Sequence, residues 1–168
     1  MDTFESARTV LAVRAYQPKQ VPREVVKRIL EAGRLTGSGS NKQPWHFIVV
    51  DKPEALAELA RLATTGPYLA QASAAIVVAI EKTKLAVSDA SRAIQSMILA
   101  AWSEGVGSNW VGFLGLEQVN APLGIPETLE VLGILPLGYP AQAIGKGKKK
   151  RKPLSEVASD GRFGNPFS

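Results

Sequence analysis

A sheet flanked by helices, of α/β or α+β class, is what this chain predicts, and three features carry that expectation. Helix-like and strand-like patterns alternate in the order α-α-β-α-β-α-β-α-β, ahead of a polar tail. Ala74 to Ile80 (AAIVVAI) is apolar without a break over the length of a strand, which suits burial on both faces. The 168 residues, 45% apolar and 21% charged, suffice for one domain, residues 1–168, around a single core.

Each element has its own signal. Asp2 to about Val13 reads as a first helix of moderate periodicity. Pro22 opens a clearer second one, with Val25, Val26, Ile29, Leu30 and Gly33 or Arg34 at helical spacing. A loop of small polar residues from Thr36 to Pro44 leads into a core strand, His46–Val50. Pro53 starts a third helix with Ala55, Leu56, Leu59 and Leu62 on one side, and the Ala74–Ile80 strand follows. Ser88 and Asp89 read as a helix N-terminus, and that helix is expected to reach about Glu104. Ala90, Ile94, Met97, Ile98 and Ala101 form its apolar stripe, which Ala93, Leu99, Ala100 and Trp102 widen almost all round. Such a helix wants cover on more than one side, and a subunit interface would supply it. Gly105 and Gly107 stop it. Ser108–Phe113 is then a candidate strand, Leu116–Leu123 a short helix ended by Gly124, and Glu130–Leu137 the last strand. From Ala141 the chain is polar, glycine-rich and basic, and no internal repeat or linker stands out.

Composition removes several chemistries. Without cysteine there is no disulfide, thiolate metal site or cysteine nucleophile. A single histidine, His46, speaks against a His-rich metal site or a Ser-His-Asp triad, and it reads as a structural residue. No metal site is expected. No GxGxxG follows a strand, and Gly133 and Gly138 have P-loop spacing but Tyr139 where lysine is needed. Asp2 and Glu5 stand where a signal peptide would be basic, and no apolar stretch is long enough to span a bilayer, so a cytoplasmic protein is expected. The net charge of +5 belongs to one tract, Lys146 to Lys152 (KGKKKRK). Six of the 20 basic residues lie there, which leaves 14 against 15 acidic ones. A nucleic-acid surface would spread its charge over a face, so no nucleic-acid partner is expected.

Three separated clusters remain as candidates for a site. They are Arg8 with Arg14, the loop residues Ser38, Ser40, Asn41 and Gln43, and Lys149 with Arg151. The loop offers hydroxyls and amides that donate and accept, between glycines that let backbone N–H groups come close to a flat ligand. Arginine suits a phosphate because its fork is planar and bidentate. Taken alone, the loop serves equally as an ordinary helix-to-strand connection, and each arginine as a solvated charge.

The motifs go further. Val13-Arg14-Ala15-Tyr16 with Val21-Pro22, Gly37-Ser38-Gly39-Ser40-Asn41-Lys42-Gln43-Pro44-Trp45, and Gly105-Val106-Gly107-Ser108-Asn109-Trp110-Val111-Gly112 occur in that order. Leu123-Gly124-Ile125-Pro126, Pro136-Leu137-Gly138-Tyr139-Pro140, and Lys149-Lys150-Arg151-Lys152-Pro153-Leu154 with Glu156-Val157 complete the set. Together they resemble the FMN-dependent nitroreductase family over nearly the whole chain. The resemblance implies an α+β, three-layer fold with a mixed, mostly antiparallel sheet flanked by helices and an extended C-terminal tail. It implies FMN as cofactor, NAD(P)H as co-substrate, and a homodimer with FMN at the subunit interface. Arg14 would lie beside the flavin pyrimidine edge or phosphate, and Lys149 and Arg151 would grip the phosphate. Ser38, Ser40, Asn41 and Gln43 would line the flavin, from the partner subunit or from beneath. Trp110, Val111 and Gly112 would sit near the reactive N5 edge. The family often carries R-[RH]-S ahead of its V-R element, and here those positions are Val10, Leu11 and Ala12. Arg8 is the nearest substitute, displaced by about half a helical turn.

The activity so implied is ping-pong hydride transfer from NAD(P)H, through flavin N5, to nitro-aromatic, quinone or related small-molecule acceptors. The flavin would carry the chemistry, with no side chain as a covalent nucleophile. A non-enzymatic FMN-binding or redox-sensing module is the alternative, which turnover with NADH and a quinone would separate.

Overall fold

The computed structural model describes residues 2–112, 115–143 and 149–167. Its helices are α1 (Thr3–Thr9), α2 (Arg23–Arg34), α3 (Pro53–Leu62), α4 (Ala86–Ser103) and α5 (Leu154–Val157). Its strands are β1 (Trp45–Val50), β2 (Ala74–Glu81), β3 (Gly107–Ser108), β4 (Val111–Gly112) and β5 (Leu129–Gly138).

The sheet runs β1-β2-β5-β3, with β4 also on β5, and every one of these pairings is antiparallel. A single parallel bridge, Ala12 to Ser108, joins the segment after α1 to the sheet. Strand β2 is apolar throughout because both its faces are covered. Ile76, Val78 and Ile80 meet α2 and α4, whereas Ala75, Val77 and Ala79 meet α3 and the 116–119 turn. In β5 the alternation slips at a bulge, where Val78 pairs with Gly133 but Ala79 with Val131. The extra residue, Leu132, joins the α4 side, as one inserted residue must swap faces.

Several boundaries differ from the sequence expectation. The first helix ends at Thr9, not near Val13, because Val13 N–H bonds Ser108 O at 2.9 Å and its side chain packs over Gly107. Asp2 caps that helix by accepting the Glu5 N–H at 2.7 Å. Helix α4 begins at Ala86 without a side-chain cap, so Asp89 lies inside it and is buried. Its end is as expected: Gly105 takes φ +74°, while Val106 N–H reaches Ala101 O and Gly105 N–H reaches Trp102 O. That pair of bonds is a Schellman motif, and it needs the left-handed residue that glycine supplies. The strand expected over 108–113 is two short ones, β3 and β4, interrupted at Asn109-Trp110; Phe113 lies outside the described residues. The helix expected over 116–123 is a 3₁₀ turn, Leu116–Val119, and the last strand gains a residue at each end. The His46 side chain is exposed on β1 and makes no hydrogen bond among the described residues, so it is not the satisfied structural residue expected. No helix among the described residues is long and apolar enough to cross a membrane.

Candidate functional site

The loop between α2 and β1 has the least ordinary backbone among the described residues. Ser40, Asn41 and Gln43 take φ of 52°, 54° and 51°, and among the described residues they are the non-glycine ones with positive φ. Asparagine tolerates that region, but serine and glutamine do so only at a cost of order 1–3 kcal/mol each. Neighbouring contacts hold the loop in place. Ser38 Oγ accepts the Gln43 N–H at 2.8 Å, and Gln43 Nε2 donates to Asn41 O at 3.2 Å. Gly39 N–H is shared between the two carboxylate oxygens of Asp89 at 3.1 and 3.3 Å. The side chains of Ser40 and Asn41 are exposed and make no hydrogen bond among the described residues.

The cationic groups gather elsewhere. Val13–Gln17 runs beside Tyr139–Ala141 through Gln17 N–H to Tyr139 O and Ala141 N–H to Ala15 O. A recess of about 370 Å³ lies there, lined by Ala12 to Ala15 and Pro140 to Gln142. Arg14 lines it, is exposed, and pairs with no carboxylate among the described residues. Beneath it Tyr16 is buried and donates its O–H to Val13 O at 2.7 Å; burial above all, then Tyr68, raises its pKa. Lys149 reaches back to α1, where Nζ donates to Ala7 O at 2.5 Å. That carbonyl belongs to the last turn, where a cation suits the helix dipole. Burial, then the neighbouring Arg151, lowers the Lys149 pKa below the ordinary lysine value. Arg8, one residue on from Ala7, is forked onto Glu5 at 2.8 Å through both nitrogens and is already partnered. Residues 146–148 of the basic tract lie outside the described residues.

Trp110 and Gly112 lie at the edge of the sheet, where β3 and β4 pair with β5. The Trp110 indole N–H donates to Leu132 O at 3.3 Å, taking the carbonyl at the β5 bulge, and it lies where a side chain on Gly133 would be. Val111 is buried under Gly66, while Gly112 pairs with Gly133 and is half-buried. A methyl group on Gly112 would meet Trp110 at 3.5 Å, ordinary contact distance. Asn109, also buried, donates through Nδ2 to the Tyr68 hydroxyl.

Arg8, Arg14 and Lys149 therefore share one end of the molecule, and the loop does not join them. Thr9 Oγ1 bonds Trp102 near the C-terminus of α4, whereas the loop is tied to Asp89 near its start. The 13 residues between correspond to roughly 20 Å of helix. Asp89, Asn109 and Tyr68 were not among the residues the sequence singled out for the site. For Asp89 a signal exists: it falls one turn before Ala93 on the buried stripe of α4, where a carboxylate is out of place. For Tyr68 and Asn109 nothing local distinguishes them. Among the described residues no group of three or more His, Asp or Glu is placed to hold a metal.

Comparison with known proteins bears on the family and the fold. The sequence matches the Nitroreductase family over residues 8–84 and 67–139. A protein of Archaeoglobus fulgidus named for NADH dehydrogenase/NAD(P)H nitroreductase is 39% identical over 140 residues, covering 77% of this chain and 80% of its own. One of the same name from Methanothermobacter thermautotrophicus is 35% identical over 154 residues, covering 86% and 81%. A nitroreductase structure from Desulfovibrio desulfuricans, in complex with FMN, superposes with a TM-score of 0.84 at 28% identity, covering 100% of this chain and 99% of that one. The three-layer architecture, the ordered motifs and these likenesses agree: the chain belongs to the nitroreductase family.

Proposed function

We propose that residues 1–168 act as one FMN-binding domain of an NAD(P)H oxidoreductase, a cytoplasmic homodimer with FMN between its subunits. It passes a hydride from NAD(P)H to a nitro-aromatic, quinone or related small acceptor in two alternating half-reactions. The observation that carries this reading is the loop, held in left-handed backbone with Ser40 and Asn41 free to meet a ligand. The donor set fits FMN. Burial, then the neighbouring Arg151, depresses the Lys149 pKa, and a phosphate would relieve the repulsion between the two cations. Arg14, exposed and without a described carboxylate, is available to the pyrimidine edge or the phosphate. Arg8 contributes only by exchanging Glu5 for the phosphate. Trp110 and Val111, anchored in the sheet, hold Gly112 where no side chain crowds the flavin edge. When bound, FMN supplies hydride acceptance and donation at N5. Cations by the pyrimidine ring stabilise the negative charge that reduction leaves there.

Two copies answer the separation along α4. A ligand gripped by Arg14 and Lys149 lies roughly 20 Å from its own chain's loop, so Ser38, Ser40, Asn41 and Gln43 would come from the partner. Leu85 and Val87 are exposed, and Leu99 and Trp102 only half-buried, along the helix that would form the interface. The test is direct. Purified protein should be yellow or take up FMN, bleach with NAD(P)H without oxygen, and recolour on adding a quinone. Its mass in solution should be twice that of the chain. Colourless protein that cannot be reconstituted with FMN would sink the reading.

A further inference from the structure

Along α4, three side chains are directed at the loop that precedes β1. The Thr36 hydroxyl donates to Ser96 Oγ at 2.9 Å, Arg92 donates to Gly37 O at 3.4 Å, and Asp89 accepts the Gly39 N–H. Positions 89, 92 and 96 fall on one helical face, and loop residues 39, 37 and 36 meet them in turn. The first limb of the loop thus lies antiparallel along the helix. Gly39 is pressed against it so closely that a methyl group there would sit 2.3 Å from Leu85 Cδ1.

Asp89 is the buried rung, at 2% exposure, and among the described residues no cation pairs with it. An ionised carboxylate removed from water needs compensation, and here it has the Gly39 N–H and the positive end of α4. The next residues along the loop, Ser40 and Asn41, are left-handed and carry the side chains left free. We propose that Asp89, with Arg92 and Ser96, is a positioning residue of the flavin site. By fixing Gly39 it presents Ser40 and Asn41 to FMN. The inference rests on the functional reading above and adds to it a residue that touches no ligand.

The test compares FMN titrations of apo-protein, followed by flavin fluorescence, for wild type, Asp89→Ala, Asp89→Asn, Lys149→Ala and Leu56→Ala. Melting of each apo-protein and visible circular dichroism of the bound flavin are recorded in parallel. Asp89→Asn keeps an acceptor oxygen and is expected to bind within about threefold of wild type, whereas Asp89→Ala loses about tenfold or more and changes the flavin's dichroism. Leu56→Ala, a cavity in α3 away from the loop, is expected to lower the melting temperature while leaving FMN affinity within about twofold. If Asp89→Ala does not fold, the Arg92→Ala/Ser96→Ala pair takes its place, with an expected loss of about three- to tenfold. FMN bound equally well by wild type and Asp89→Ala would overturn the proposal. So would affinity that merely follows melting temperature across Asp89→Ala and Leu56→Ala, or an Asp89→Asn protein as weak as Asp89→Ala. Wild type that takes up no FMN would overturn the functional reading and this proposal with it. Weakening by Lys149→Ala alone would leave the reading standing and remove only Asp89.

Discussion

The loop from Thr36 to Pro44, laid against the start of α4, is uncharged apart from Lys42 and is tied down by its own chain. The Arg14, Lys149 and Arg151 group, at the other end of that helix, is cationic and sparsely held. Neutral hydroxyls and amides can be fixed in advance, because the bonds that hold them cost little in desolvation. Adjacent cations resist tight packing before an anion arrives: burial, then the neighbouring Arg151, already weakens the hold of Lys149 on its proton. On the proposed reading, one end is shaped before the ligand comes, and the other waits for the ligand's charge. Shape and charge recognition fall on different stretches of chain.

That contrast can be broken in order of expected effect. Lys149→Ala/Arg151→Ala is expected to weaken FMN roughly 100-fold or more, because two charge-assisted hydrogen bonds are lost. The same change should flatten the salt dependence of the fluorescence titration; an unchanged slope would move the phosphate elsewhere. Next, Gly112→Ala should leave the melting temperature alone, since the added methyl meets only Trp110 at 3.5 Å, yet cut kcat/KM for a quinone about tenfold if a flavin edge lies there. Full activity in that variant would take Gly112 out of the site. Gly107→Ala makes the opposite case: its methyl would stand 2.6 Å from buried Val13, so about 1–3 kcal/mol of stability should go, read by denaturant unfolding. Tyr16→Phe removes one buried hydrogen bond to Val13 O and should cost about 1–2 kcal/mol.

The smallest effect is that of pH, and its sign is fixed. Lys149 has a lowered pKa in the folded apo-protein, so between that value and the unfolded one the unfolded chain binds more protons. Apo stability therefore rises slightly with pH through that window. FMN affinity moves the other way, falling as Lys149 loses its charge, and proton uptake should accompany binding on the alkaline side. Affinity that is flat with pH through that window would leave the phosphate to Arg151 and Arg14.

Much of the fold was legible because burial writes periodicity into sequence. The runs 25–30, 56–62, 74–80 and 90–101 reach the core as read, and Gly105 ends α4 in left-handed backbone. The misread boundaries share a cause. Val10 to Val13 looks like the continuation of a helix, but it is drawn out to lie beside β3, a partner 95 residues away from Val13 at Ser108. Asp89 has the composition of a cap, yet the helix starts a turn earlier and its carboxylate faces a loop 50 residues upstream.

The sequence by itself determined the layers, the placement of most elements, the family and the residue types that could meet a flavin. Those depend on spacing along the chain, and spacing is local. Only the tertiary structure decided which polar groups were already committed. It gave the Trp110 indole to the β5 bulge and Asp89 to Gly39, while among the described residues Ser40, Asn41 and Arg14 stayed open. It also set the loop and the cationic group, the two parts of the proposed site, at opposite ends of α4. Hydrogen bonds and ion pairs are settled by distance in space, and no pattern along the chain carries that distance.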